Sequence, residues 1–285
     1  MTEIRIDPIT GLRVIVSTEG EVPASDRGGM GVVAATHPLL RDDSPDPPPQ
    51  DNPDLFGALA AGGADELIAV QSASAGSLAE LQVDELRAAA ETWRERMRAH
   101  GGAAYVHLGV DEDPPSARIE ARLLALRFVP AAVARERERF GAHAVRTMGG
   151  NLLEDIVGEE VRRRARIVAI DDEAVLLCPY ASRHPFQLML APRRRRERFQ
   201  DDGATGAALL HRGLALLRER FGASPPLSLW VRTAPRDAER FCWRIDVVPR
   251  LASAGALELG TGIPANPVAP EAAAAQLREL LSAAR

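Results

Sequence analysis

The chain has 285 residues, 46% of them hydrophobic and 26% charged, which is enough apolar content for one large core or two smaller ones. A formal net charge of -5 and a pI near 5.8 give no global electrostatic reason to bind nucleic acid or an anionic membrane, and no apolar run reaches membrane-spanning length. Its two cysteines, Cys178 and Cys242, supply neither a disulfide framework nor a zinc knuckle, and the start of the chain lacks a secretory pattern, so a cytoplasmic location is expected.

In chain order, Ile4 to Val16 reads as a hairpin, with Asp-Pro and Thr-Gly as turn formers between alternating apolar residues. Residues 42–53 are Pro, Asp, Ser and Gln with almost nothing apolar, and are expected to form an exposed loop. Glu66 to Val70 reads as a strand, and Val83 to His100 as an amphipathic helix through Leu86, Ala89, Ala90, Trp93 and Met97. Strands at Tyr105 to Val110 and Ile119 to Phe128 follow, then a charged helix from Ala131 to Phe140. The second half repeats the order. Ala174 to Pro179 and Phe186 to Ala191 read as strands, Gly206 to Phe221 as a helix, and Leu227 to Arg232 and Phe241 to Val248 as strands.

Two units of strand, strand, helix, strand, strand predict an α+β fold of two tandem domains, residues 1–140 and 141–285, each an antiparallel sheet with packed helices. In this register Arg118-Ile119-Glu120 and Cys242-Trp243-Arg244 occupy equivalent places in the two halves. Alternation along a strand puts residues i and i+2 of each trio on one face.

Several segments, taken in order, carry a resemblance. They are the Ile4–Val16 hairpin, the helix opening Ser77-Leu78-Ala79-Glu80-Leu81, the turn Phe128-Val129-Pro130, and Pro179-Tyr180-Ala181-Ser182-Arg183-His184-Pro185-Phe186. Thr233-Ala234-Pro235-Arg236, Pro249-Arg250-Leu251, Glu258-Leu259-Gly260-Thr261-Gly262-Ile263 and Asn266-Pro267-Val268 continue it. Together they resemble the galactose-1-phosphate uridylyltransferase family of the histidine-triad superfamily, which implies two tandem histidine-triad-like domains. The resemblance implies a two-step transfer in which a histidine takes uridylyl from UDP-glucose and passes it to galactose-1-phosphate, a role that suits neutral imidazole. Here the family's His-Pro-His-x-Gln reads Arg118-Ile119-Glu120-Ala121-Arg122, so Glu120 stands at the nucleophile position, flanked by Arg118 and Arg122. A carboxylate there brings negative charge to a negatively charged substrate. Two unit charges at 4 Å repel by about 1 kcal/mol in water and about 4 kcal/mol at an effective dielectric of 20.

The phosphate loop before that trio reads Gly109 to Ala117 with Asp111, Glu112 and Asp113, the wrong charge for cradling a phosphate. Gly20-Glu21-Val22 replaces the family's arginines after the hairpin. The resemblance also implies metal sites, and these are not kept. Ser25 to Gly31 holds no cysteine, a later histidine position reads Ser74, and the second site reads Arg232, Cys242 and Arg244 with only Glu136 matching. No bound metal and no other cofactor is expected. Glu258 corresponds to a sugar-contacting residue of the family, although its glycine-rich stretch also serves a turn. His107, His184 and Cys242 are expected to be structural, and Arg193 to Arg196 with Arg162 to Arg164 to be solvated charge.

The expectation is thus a uridylyltransferase-like binding or scaffold protein that has lost covalent catalysis, with Arg118, Arg122 and Glu258 as substrate-binding positions. The alternative is an active nucleotidyltransferase or hydrolase of nucleotide sugars that uses Glu120. The partners implied are a nucleotide sugar or sugar phosphate, and a second copy or an active relative as dimer partner. No nucleic acid and no membrane is expected.

Overall fold

The computed structural model describes residues 2–6, 13–17, 32–34, 39–52, 54–70, 72, 75–114 and 119–283. In the first half these form β1 (Thr2–Ile6), β2 (Arg13–Ser17), β3 (Val32–Ala34), β4 (Gly57–Ala60), β5 (Gly63–Ala69), α1 (Val83–Ala99), β6 (Tyr105–Glu112), β7 (Glu120–Leu126) and α2 (Ala131–Arg146). The second half contains α3 (Leu152–Arg163), β8 (Ile167–Ile170), β9 (Ala174–Leu177), β10 (Leu188–Pro192), α4 (Ala207–Phe221), β11 (Leu227–Arg232), β12 (Arg244–Pro249), α5 (Ala256–Thr261) and α6 (Pro270–Ala283).

The fold is α+β with antiparallel sheets, as expected, but the two halves share their main sheet. Nine strands run in the order β3-β5-β7-β6-β11-β12-β10-β9-β8, and β2-β1-β4 form a second, small sheet. The halves meet where β6 pairs with β11, Gly109 lying opposite Trp230. The expected division at residue 140 falls inside α2. Residues 42–52 are irregular and mostly exposed, and Pro53 lies outside the described residues.

Strand composition reports which faces are covered. In β6, β7 and β11 small or apolar residues alternate, and Leu108, Val110, Ala121, Leu123, Leu229 and Val231 all enter one large core with α1, α4 and α6. The intervening residues His107, Gly109, Glu120, Arg122, Ser228 and Trp230 are only part-buried, on the opposite face. β9 and β10 are buried at every position. Their second face is covered by α2 and α3, where Phe140, Leu153 and Val157 pack on Val175, Leu177, Met189 and Ala191. At the other end of the sheet, Ile4, Leu40, Tyr105, Leu126 and Val133 close a third, smaller cluster. Among the described residues, no helix covers one stretch of that opposite face, over β5, β7, β6 and β11.

Local signals explain the helices. Gln82 and Glu85 form a capping box at the start of α1, and Asn151 caps α3 by accepting from the N–H groups of Leu153 and Glu154. In α4 the approach to the sheet is close enough that a Cβ at Gly213 would lie 2.8 Å from Leu176 Cδ2. The last strand starts later than the sequence pattern implies. Phe241, Cys242 and Trp243 are buried but not paired in the sheet, because the Trp243 indole donates to Asp202 at 2.9 Å and meets Phe199 edge-on.

Glu112 ends β6 on the helix-covered face, where one of its oxygens accepts the Leu78 N–H at 2.6 Å and the other has no partner. Burial, with Glu80 nearby, pushes its carboxyl up to about 7, partly offset by the Leu78 hydrogen bond. The folded state therefore holds this proton more tightly than the unfolded chain does. Its contribution to stability is complete below the unfolded value of 4.5 and is lost as pH rises to about 7. The full swing is on the order of 3 kcal/mol. Glu112→Gln is expected to unfold at a higher temperature than the wild type at pH 8 and at the same temperature at pH 5, measured by circular dichroism.

Candidate functional site

The uncovered face carries the residues singled out in the sequence. Glu120 and Arg122 project from β7, and the β7–β6 register sets Arg122 opposite Gly109. Arg118 lies outside the described residues. Arg122 is not available to a ligand as a free cation. Its Nε and Nη2 donate to the two carboxylate oxygens of Asp65 at 2.9 and 2.6 Å. The Asp65 side chain is fully buried and also accepts the Leu39 N–H at 2.6 Å. A bidentate guanidinium–carboxylate pair of this kind fixes geometry and cancels charge.

The same cancellation recurs at the end of the strands. Asp111 accepts from the Ser228 hydroxyl, and Asp113 accepts from Arg250 Nη2 at 2.6 Å. Arg250 also donates to the Glu112 carbonyl at 2.7 Å and lies 3.5 Å from Asp111. The acidic run expected as a loop is thus split. β6 extends through Glu112, whose side chain turns to the helix-covered face, and only Asp111 and Asp113 remain at the site. An open hollow of about 480 Å³ nearby is lined by His184, Ser228, Trp230 and Arg250. Trp230 Nε1 has no hydrogen-bond partner. His107, beside Gly109 on this face, is pushed down to about 4 by burial and by Arg232, so its imidazole is neutral at pH 7.

Glu258 sits in α5, and its carboxylate accepts the N–H groups of Gly255 at 2.9 Å and Ala265 at 3.3 Å. Its own backbone N–H and that of Gly255 hold its carboxyl below the ordinary range. Both oxygens are used to shape its own segment. The basic runs are likewise paired: Arg162 and Arg163 with Glu159, Arg166 with Glu160 and Glu271, Arg195 with Glu197, and Arg196 with Asp202. Gly20-Glu21-Val22, Ser25 to Gly31 and Ser74 lie outside the described residues.

No protein-family model matches this sequence. It is 29% identical over 170 residues to the galactose-1-phosphate uridylyltransferase of Rattus norvegicus, a match covering 58% of this chain and 44% of that protein. It is 26% identical over 129 residues to the ADP-glucose phosphorylase of Arabidopsis thaliana, covering 42% of this chain and 37% of that protein. The matched regions are thus less than half the length of these two relatives. Among solved structures, a uridylyltransferase mutant superposes with a TM-score of 0.87 at 21% identity, over 99% of this chain and 100% of that one. The chain is thus similar in sequence, over part of its length, to galactose-1-phosphate uridylyltransferases, and similar in fold to a uridylyltransferase.

Three of the residues expected at a second metal position, Arg232, Arg244 and Glu136, do come together, but as ions. Arg244 Nη1 and Nη2 donate to the two oxygens of Glu136 on α2 at 3.0 Å each, and Arg232 Nε lies 3.5 Å from the same carboxylate. The fourth member is Asp246, which accepts from Arg244 Nε at 3.0 Å. It is not Cys242, which is buried in the apolar cluster with Phe140 and Phe241, its thiol pushed up to about 11 by burial. Burial acts to raise the Glu136 carboxyl, but Arg244 and Arg232 hold it below the ordinary range. Burial likewise acts to lower the Arg244 guanidinium, but Asp246 and Glu136 hold it above its ordinary value. These residues do not fit a metal. Guanidinium groups offer no lone pair, and the two carboxylates are already bound by them. Among the described residues no group of three or more His, Cys, Asp or Glu side chains has metal-holding geometry.

Asp65, Asp246 and Arg250 were not foreseen from the sequence. Their partners are distant along the chain or set by strand register, and no local pattern marks them. The Glu136 cluster joins α2 to the middle of the sheet, and removing its central acid leaves two largely buried cations facing each other. Glu136→Ala is expected to lose about 3 kcal/mol of stability in urea unfolding. A chelator is expected to leave the wild-type unfolding temperature unchanged.

Proposed function

We propose that this protein is a catalytically degenerate uridylyltransferase-like protein, a binding or scaffold unit that no longer carries out covalent nucleotidyl transfer. The observation that carries this reading is the pairing of Arg122 with Asp65, two residues beyond Glu120. The residue at the nucleophile position is an acid, and the nearest described cation on its strand is already neutralised. A phosphoryl group approaching this face finds Arg250 and Arg122 both committed to acids. Transition-state stabilisation of phosphoryl transfer depends on uncommitted cations and N–H groups aimed at the developing charge. The neutral His107 is separated from Glu120 by the Gly109–Arg122 pair and has no described acidic hydrogen-bond partner.

The named relatives act on galactose-1-phosphate and ADP-glucose, so the ligand class proposed is a nucleotide sugar or sugar phosphate, bound without a covalent step. A second copy, or an active relative, is the proposed protein partner. No helix among the described residues is long and apolar enough to cross a membrane.

Phosphorus NMR of the protein with UDP-glucose and galactose-1-phosphate tests the reading. No product signal is expected from the wild type, nor from Glu120→Gln. UDP-galactose formation that disappears in Glu120→Gln would establish the alternative, a transferase using that carboxylate.

A further inference from the structure

The second half contains a cleft of about 450 Å³ between α2, α3 and the strands β9, β10 and β12, within the range of small-molecule sites. It lies on the face that α2 and α3 cover, and Glu136, Arg244 and Asp246 of the ion cluster form part of its wall. Three observations point to a ligand. First, Glu160 is 3% exposed and lines the cleft, yet only its Oε1 is used, accepting from Arg166 Nε and Nη2 at 2.9 and 2.7 Å. Its Oε2 has no partner, which is uncommon for a buried carboxylate oxygen. Second, Arg139 and Arg183 line the same cleft from the exposed side; neither guanidinium makes a direct ion pair or hydrogen bond among the described residues, although the Arg183 charge also acts on Glu136 in the same wall. They contrast with the committed arginines of the uncovered face. Third, the wall between these two ends is apolar, through Phe140, Ile156 and Met189, and includes the exposed ring of Tyr180, held by Arg166 at 4.9 Å.

We propose that this cleft is a binding site for a small ring-bearing phosphate monoester with hydroxyl or amino donors, the chemistry of a nucleoside monophosphate. The phosphate lies at the mouth between Arg139 and Arg183, the ring lies along the apolar wall, and a donor reaches the open oxygen of Glu160. A buried acceptor selects for ligands that carry a donor, because a ligand without one leaves the oxygen unpaired. Two arginines at the mouth suit a phosphate through paired N–H donors. The site goes beyond the proposed function, since it uses none of the residues at or around Glu120.

The test is calorimetric titration of the full chain with UMP and AMP, with phenyl phosphate as a ring phosphate that lacks donors and inorganic phosphate as a further comparison. The expected result is binding of UMP or AMP that weakens by about tenfold or more in the double variant Arg139→Ala, Arg183→Ala. Both arginines are exposed, so this variant is expected to keep the wild-type unfolding temperature. Phenyl phosphate is expected to bind at least about tenfold more weakly than the nucleotides and to be insensitive to Glu160→Gln. Nucleotide binding that is unchanged in the double variant, or that is lost instead in Trp230→Ala, would place the ligand on the uncovered face. That outcome would overturn this site while leaving the absence of covalent transfer standing. No binding of either nucleotide at millimolar concentration would also overturn it.

Discussion

Alternation along four central strands governs this molecule. In β6, β7, β11 and β12 every second residue is fixed by packing against α1, α4 and α6, where Leu108, Val110, Leu123, Leu229, Val231, Ile245 and Val247 are almost completely buried. The residues between them contribute little to that core and are constrained mainly by what lies across the sheet. Replacing a histidine by glutamate or arginine at such a position leaves the helix-side packing unchanged. A sheet of this kind can therefore keep its shape while the chemistry of its other face changes completely.

Charges brought to that face must still be neutralised, and the structure does so pairwise. Arg122 answers Asp65, Arg244 answers Glu136 and Asp246, and Arg250 answers Asp111 and Asp113. Largely buried ion pairs add little net stability relative to apolar packing, but breaking one is costly because it strands its partner. Such pairs are consequently hard to change one residue at a time. The Glu136 cluster also has a mechanical role, since it attaches α2 to β11 and β12 through two guanidinium groups.

The elements with a strong period were legible in the sequence. α1 and α4 were placed within one residue and β11 to the residue, because an amphipathic face or a clean alternation persists along each. α3 and α6 carried readable signals that were not used: Asn151 before an apolar run, and Pro270 ahead of an alanine-rich stretch. The site was legible only in part. Glu120 and Arg122 follow from the aligned motif, but Asp65 is 57 positions from Arg122 and becomes its neighbour through the β5–β7 register alone. The choice between Cys242 and Asp246 beside Arg244 shows a related limit. Both are two residues from Arg244, so alternation places both on its face. Only the packing of Phe140 and Phe241 at one end, and the reach of Arg244 at the other, separates them.

The shared sheet makes the two halves directly comparable. Glu120 opens β7 and Arg244 opens β12, and the third position of each strand, Arg122 or Asp246, carries the opposite charge. In the first half the strand face is open, and its acid and base are drawn to Asp65 and neighbouring groups. On the second-half strands α2 and α3 cover the equivalent face; α3 brings the buried Glu160 carboxylate, α2 brings Phe140 and Arg139, and Arg183 reaches the same cleft from the turn between β9 and β10. Electrostatic attraction for an anion depends on uncommitted charge, since a neutralised pair has a field that falls off within a few ångströms. By that criterion the face that carries Glu120 and Arg122 is the less suited to recognise a phosphate. The cleft beneath α2 and α3 holds Arg139 and Arg183 at its mouth, free of direct ion pairs among the described residues.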